Sequence, residues 1–433
     1  MSNAVAIVGA GYAGLACAVE LAQRGVAVTV FERSRTLGGR ARVVEKDGWK
    51  VDNGQHLLLG AYTELARLLR LTGVSPRQLA PMPLTLHVPG QLLLRAAPLP
   101  APFHLIVGAL RAQGLGWRER LALPALLRHL KRERFELPDT TSVADLLDAT
   151  AQPARVRELV WEPLCLAALN TPAREASARI FANVLRDTLC ASAAASELLI
   201  PRVDLSELFP VPAARFLATR DGEVRTGNAI ESIVPQPHGG GFRLTGDASN
   251  RVWPQVVIAT APHHAAALIA STGNDACVRW AAHVAELPSE PITTIYLAFG
   301  AAVTLPEPMI GLAGAPAQWA FDRGQCGGPP GLVAAVVSAH AAADPEALVA
   351  TVVAQLEREL DHPLPKPEWS QVIVEKRATV ASRPGNGYPG AVTPLPGLWL
   401  AGDYVDGEYP ATLEAAVRSG VRCARKISAQ TGI

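Results

Sequence analysis

The stretch AVAIVGAGYAGLACAVELAQRGVAVTVFE, running to Glu32, constrains the fold more than any other part of this chain. An apolar, β-branched run at 5–8 meets Gly9-x-Gly11-x-x-Gly14. A helical pattern follows, then a second apolar run at 26–31 that ends beside Glu32. Strand, glycine turn, helix, strand and acid in this order form a grip for a dinucleotide. Gly9 allows the tight turn, Gly11 lets a pyrophosphate approach the backbone, and Gly14 lets the helix pack on the strand. The first helical turn, Tyr12-Ala13-Gly14, presents free N–H groups and the positive end of the helix dipole to the phosphates. Glu32 is placed to accept a hydrogen bond from a ribose hydroxyl, and its charge would repel a 2′-phosphate.

Bulk properties narrow the class. A chain of 433 residues exceeds one simple core and suits two interleaved domains. With 49% hydrophobic and 18% charged residues it is a globular protein. A net charge of +1 argues against a nucleic-acid partner. The six cysteines are scattered without a CxxC, which predicts reduced core thiols in a cytoplasmic protein and no metal site. No basic region precedes the apolar opening, so a signal peptide is not expected. The longest stretch without Asp, Glu, Lys or Arg, 252–274, contains Pro254 and Pro262 and reads as strand, loop and helix, not as a membrane span.

Beyond Glu32 come Arg33 and Leu37-Gly38-Gly39-Arg40. Near the other end, Leu398-Trp399-Leu400-Ala401-Gly402-Asp403 reads as a buried strand, and Pro410-Ala411-Thr412-Leu413-Glu414 as a helix start. Together these strings resemble flavoproteins of the amine oxidase and phytoene desaturase superfamily. The resemblance implies an α/β fold: a Rossmann-like, amine oxidase-like FAD-binding domain with an inserted α+β substrate domain. It also implies that FAD is the cofactor, bound noncovalently, with Arg33 and Arg40 on the GGR side of the site. Gly402 and Asp403 would hold the ribityl chain, and Ala411, Thr412 and Leu413 would face the flavin's pyrimidine ring. Ile230, at the start of an Ile-x-x-Ile strand, would contact the adenine through its backbone. Gly54, Gln55, His56 and Leu57 fall where the superfamily passes its backbone along the isoalloxazine. On this basis residues 1–79, 206–284 and 371–433 form the FAD-binding domain, and 80–205 and 285–370 the substrate-binding domain.

Inner strings favour one branch. Asp52-Asn53-Gly54-Gln55-His56, the Trp161 to Pro172 segment, Gln318-Trp319-Ala320-Phe321-Asp322-Arg323 and Glu375-Lys376-Arg377-Ala378-Thr379 are similar to the bacterial hydroxysqualene dehydroxylases of hopanoid and squalene synthesis. That resemblance implies an isoprenoid substrate that loses its hydroxyl by hydride transfer from reduced flavin N5, with no electron donor specified. A carotenoid desaturase or amine oxidase of the same superfamily, and a non-enzymatic prenyl-lipid carrier, are the alternatives. The sequence departs from the pattern at Ala415, where relatives carry glycine, and at 404–409, which replaces a Trp-Thr pairing.

Hydroxide leaves poorly unless protonated, so an acid is expected near the ring. His56 is the first candidate, against a role for its backbone alone. Glu162, in an otherwise apolar stretch, is the second, because apolar surroundings would raise its pKa; its alternative is pairing with an arginine. Asp52 is expected to tie down its own loop. Asp406 and Glu408 are read as facing water, and His263-His264 as helix-start residues. Segment 103–135 mixes leucines with Arg111, Arg118, Arg120, Arg128, Lys131, Arg132 and Arg134. It reads either as a basic amphipathic helix lying peripherally on the inner membrane surface or as an ordinary solvated face.

Overall fold

Short runs rich in buried apolar residues, such as Val5–Val8 and Val256 to Ile258, need cover on both faces and therefore sit at the centre of a parallel sheet. In the computed structural model, which describes residues 4–300, 303–342 and 344–431, that sheet is five-stranded. Its order is Glu223–Thr226, Val28–Glu32, Val5–Val8, Gln255–Ile258, Leu398–Leu400. All neighbouring pairs are parallel. The second strand starts at Val28, two residues into the expected run.

The helix Tyr12–Gln23 is buried on almost every side, from Tyr12 through Ala22. An all-apolar helix must be enclosed, and here the sheet covers one side and the helix Leu413–Thr431 another. Leu15, Val19 and Leu21 are wholly inaccessible, each contributing about 1.5–3 kcal/mol by leaving water. The two helices touch backbone to backbone at Gly420, where an added Cβ would lie 2.1 Å from the Ala13 carbonyl oxygen. Glu414, at the head of the C-terminal helix, accepts hydrogen bonds from the Glu64 and Leu65 amides, both at 3.0 Å. It thereby caps the helix Thr63–Leu71, which has no side-chain cap of its own.

Alternating and β-branched runs in the middle of the chain form a second, antiparallel five-stranded sheet. Its order is Met309–Gly311, Trp319–Asp322, Leu332–Ser338, Ser289–Ala298, Trp369–Val380. The helix Pro345–Leu360 packs against the last of these strands. Asp344 caps that helix by accepting from Glu346 and Ala347 N–H at 3.1 Å. The sequence boundary at 371 falls inside Trp369–Val380, whose register runs along Ser289–Ala298 with a bulge between Glu290 and Ile292. By strand pairing, the crossing back to the nucleotide half follows Val380.

Helices from 103–189 and the hairpin of Thr85–Val88 with Leu92–Arg95 cover this sheet's cavity side. Segment 103–135 is two helices, Phe103–Leu110 and Trp117–Arg132, because Gly114 takes a left-handed φ of +84° between them. Ile230 is a correction: it sits in the connector before the strand Ser232–Pro235, since Asn228 and Gly227 spend their amides on Glu32 and Ser34 carbonyls instead of a ladder. No helix of the described residues is long and apolar enough to cross a membrane.

Candidate functional site

The glycine turn is shaped by contacts that exclude side chains. Gly9 has φ +110°, and a Cβ there would lie 2.5 Å from the Ala259 carbonyl oxygen. At Gly14 a Cβ would come 2.0 Å from the Gly9 oxygen. Gly11 differs: its nearest neighbours are 3.9 Å away, at Gly38 and Gly39. A Cβ at Gly11 would be tolerated by the protein and would intrude on the cradle alone. Gly11 is also the N-cap of the helix and offers no side-chain acceptor to the first-turn amides, which leaves them for an anion.

Glu32 leaves the second strand and accepts from Ala10 N at 2.7 Å and Ser34 N at 2.8 Å. Those bonds fix the carboxylate at the cavity edge and leave lone pairs for another donor. Opposite, Arg40 pairs with Asp403 at 2.5 Å and also donates to the Ala378 carbonyl. Burial opposes the charge on Arg40, but Asp403, and beyond it Glu375, hold its pKa above the ordinary guanidinium value. This ion pair joins motifs from distant parts of the chain.

Gly9, Gly11, Tyr12, Ala13, Glu32, Arg33, Gly39, Arg40, Gly54, Gln55, His56, Leu57, Ile230, Gly402, Asp403, Ala411, Thr412 and Leu413 all line one cavity of about 1310 Å³. Gly14 lies outside the lining and acts through packing. The cavity continues past residues 53–57 into an apolar chamber walled by Leu84, Leu86, Leu164, Phe181, Met309, Trp319, Phe321 and Val336.

The structure redraws the polar candidates. His56 lines the cavity and its Nδ1 lies 2.7 Å from the Gly54 carbonyl oxygen. A carbonyl only accepts, so Nδ1 carries the proton and the neutral ring has only an acceptor at Nε2. Burial lowers its pKa below the usual imidazole range; the Gly54 bond opposes this and Arg40 reinforces it. His56 is therefore poorly suited to donate a proton at neutral pH. Glu162 is exposed and absent from the cavity lining. Its helix turns Leu164 and Ala168 to the chamber instead, which removes the apolar environment on which its acid role depended. Asp52 ties down a distant element, not its own loop: it is buried and accepts from Leu205 N at 2.8 Å. Burial raises its pKa to about 7, with the Leu205 bond and Arg323 opposing and Asp204 adding to the rise. Asp406 and Glu408 do not simply face water, since Arg422 pairs with both and Arg186 and Arg418 reach Glu408.

The chamber's polar cluster was not anticipated. Tyr409 is buried and its hydroxyl donates to the Asp187 carboxylate. The same hydroxyl accepts from Arg186 at 3.0 Å, while the Arg418 guanidinium sits 5.1 Å over the ring. Tyr409, Asp187 and Thr188 face the cavity. The available signal was helical spacing: Phe181, Val184, Leu185 and Thr188 recur along one face of Ala178–Leu189. Tyr404, by contrast, is fully buried, with its hydroxyl bound to the Thr260 carbonyl at 3.0 Å.

A family model described as flavin containing amine oxidoreductase matches residues 12–428. The chain belongs to that family. Among curated relatives, hydroxysqualene dehydroxylase of Zymomonas mobilis is 30% identical over 96% of both chains. That of Rhodopseudomonas palustris is 29% identical over 98% of both. The resemblance to hydroxysqualene dehydroxylases thus extends along nearly the whole sequence. A solved oxidoreductase from Methanosarcina mazei shares the fold with a TM-score of 0.77 at 17% identity, covering 98% of this chain and 100% of its own. A solved cyclohexylamine oxidase from Brevibacterium oxydans does so at 0.65 and 16%, with full coverage of both.

This flavin containing amine oxidoreductase is an FAD-dependent enzyme with a Rossmann-like cofactor domain. The residues present fit the cofactor. The Gly11 cradle is empty of side chain and Glu32 stands at the end of its strand. Buried Gln55 Oε1, Asn228 Oδ1 and Thr260 Oγ1, all in lining residues, have no hydrogen-bond partner among the described residues. Buried polar atoms without partners are uncommon and point to a ligand that completes them.

Proposed function

We propose that this flavoenzyme reductively dehydroxylates hydroxysqualene, giving squalene and water. The observation that carries this reading is the apolar chamber continuous with the nucleotide cradle. A triterpene alcohol has one polar group on a long hydrocarbon. Its affinity must therefore come from burial, at about 25 cal/mol per Å² of apolar surface. The hydroxysqualene dehydroxylase names of relatives matching 96–98% of the chain support the same substrate. A carotenoid phi-ring synthase of Streptomyces griseus, 27% identical over 99% of this chain, supports the broader isoprenoid class. The same reading puts the enzyme at a lipid surface, where such a substrate resides.

The amides of Tyr12 and Ala13 would hold the FAD pyrophosphate, Glu32 a ribose hydroxyl, and Arg40 with Asp403 the chain between pyrophosphate and ring. When bound in its reduced form, FAD supplies the hydride that replaces the hydroxyl. The protein's part is to exclude water, orient the alcohol and deliver a proton to the departing oxygen. Tyr409, held at the chamber wall by Asp187 and Arg186, is the candidate we favour over His56: its O–H would turn from Asp187 to the alcohol oxygen, with Arg186 beside the phenolate left behind.

The test is anaerobic single turnover of prereduced enzyme with hydroxysqualene, followed by product analysis. Squalene at one equivalent per flavin is the expected product. Hydroxysqualene returned intact, with a new conjugated double bond formed instead when oxidised enzyme meets a polyene precursor, would replace this reading with a desaturase.

A further inference from the structure

Large apolar side chains left exposed are unevenly spread among the described residues. Val234, Val252, Val278 and Val392 are scattered singly, but Leu99, Phe103, Ile106, Leu110, Trp117 and Leu121 belong to one segment. Trp117 is 68% exposed, Phe103 59% and Leu121 57%, so more than half of each large apolar group stays in water, and grouped exposure of this kind marks an interaction surface. Phe103, Ile106 and Leu110 recur on one face of their helix, and Trp117 with Leu121 on one face of the next. Arg120 clasps the two helices, donating to the Leu110 and Leu115 carbonyls at 2.9 Å and lying 5.1 Å over the Trp117 ring. The apolar faces therefore adjoin.

Charge surrounds them. Arg111, Arg118, Arg128, Lys131, Arg132 and Arg134 are exposed, and none makes an ion pair among the described residues. Arg128 and Arg132 continue the helix face that begins with Trp117 and Leu121. The nearby Glu119 is spent on capping Gly116 N at 2.7 Å.

We propose that this helix pair is a docking surface for an anionic lipid bilayer. Aromatic and leucine side chains would enter the interface while the unpaired cations reach the headgroups. The charge argues against a second copy of the chain as occupant, because an isologous contact would bring the same cations together. Docking is peripheral, since no helix among the described residues is long and apolar enough to span a bilayer. The surface also lies one hairpin from the chamber. Phe103–Leu110 packs on Leu92–Arg95, with Gly108 pressed against the Arg95 carbonyl, and the paired strand Thr85–Val88 carries cavity-lining Leu86. The surface thus places a hydrocarbon source beside the chamber wall, and only this purpose rests on the substrate reading above.

The experiment is sedimentation of holoenzyme with vesicles of phosphatidylcholine containing phosphatidylglycerol, against vesicles of phosphatidylcholine alone. Wild-type protein should pellet with the anionic vesicles, be released by salt, and partition far less onto the neutral ones. Trp117→Asp with Leu121→Asp should keep the flavin spectrum and lose about tenfold or more in partitioning. Arg128→Gln and Arg132→Gln should each lose about fivefold. Equal pelleting with both compositions, no pelleting, or wild-type binding by the Trp117/Leu121 variant overturns the proposal. So does a lipid-free oligomer that Leu121→Asp dissolves, which would make the face a contact between copies. Turnover of hydroxysqualene in detergent micelles separates the two readings. Failed vesicle binding with intact micellar turnover removes only the docking surface, whereas normal binding without squalene formation removes only the substrate assignment.

Discussion

Asp52 and Tyr409 show how single buried groups divide between stability and chemistry. The Asp52 carboxyl has its pKa raised from 3.8 to about 7, chiefly by burial. Between those values the folded protein keeps a proton that the unfolded chain has lost, so stability must fall as pH rises through this window. The slope is about 1.4 kcal/mol per pH unit while the difference is one proton. Asp52→Asn keeps an acceptor for Leu205 N and never ionises. It should match wild type in denaturant unfolding below pH 4, exceed it above pH 7, and lack that slope between. At the chamber, Tyr409→Phe should retain flavin and slow single turnover by about 10²–10⁴-fold, the usual share of a general acid. His56→Gln preserves the ring-side hydrogen bond to Gly54 in kind and should stay within about threefold of wild type. The reverse order of these two variants would return the acid role to His56.

Helices and strands were the most legible level, for a physical reason. Strand, turn and helix around Gly9, Gly11 and Gly14 are dictated by local sterics and a local apolar period, so sequence suffices to place them. Exposure of one carboxyl is set by helix phase and neighbouring elements, and Glu162 was misjudged because an apolar neighbourhood in sequence became the solvent side in space. Tyr409 and Asp187 are 222 positions apart, so their pairing has no local signal. Gly420, inside the C-terminal helix, is where two helix backbones meet, a role with no local signal. Gly420→Ala should destabilise the fold by about 1–3 kcal/mol or more in thermal or denaturant unfolding, because its Cβ meets backbone that cannot yield locally. Gly11→Val should do the opposite: near-normal stability without added FAD, and no bound flavin by absorbance. Lost stability in the Gly11 variant would mean that the cradle is a packing device.

The cofactor cavity draws its walls from strands that neighbour one another in the sheet but lie far apart in the chain. Bound FAD should therefore hold the whole nucleotide half together. Acid precipitation should release all flavin into solution, as expected for noncovalent binding. Removing FAD should lower the stability, and with it the melting temperature, by an amount that grows with affinity: the stabilisation lost is about 2.7 kcal/mol when free FAD is a hundredfold above Kd. An unchanged melting temperature would mean that FAD does not bind the folded chain in preference to the unfolded one. The packing of Leu413–Thr431 against Tyr12–Gln23 has a consequence for biosynthesis. The earlier helix keeps an uncovered apolar side until Leu413–Thr431 has been synthesised, and Arg40 likewise waits for Asp403. Nascent chains are thus exposed to aggregation over that interval, and flavin loading has to wait until every inserted element between the two helices has already been synthesised.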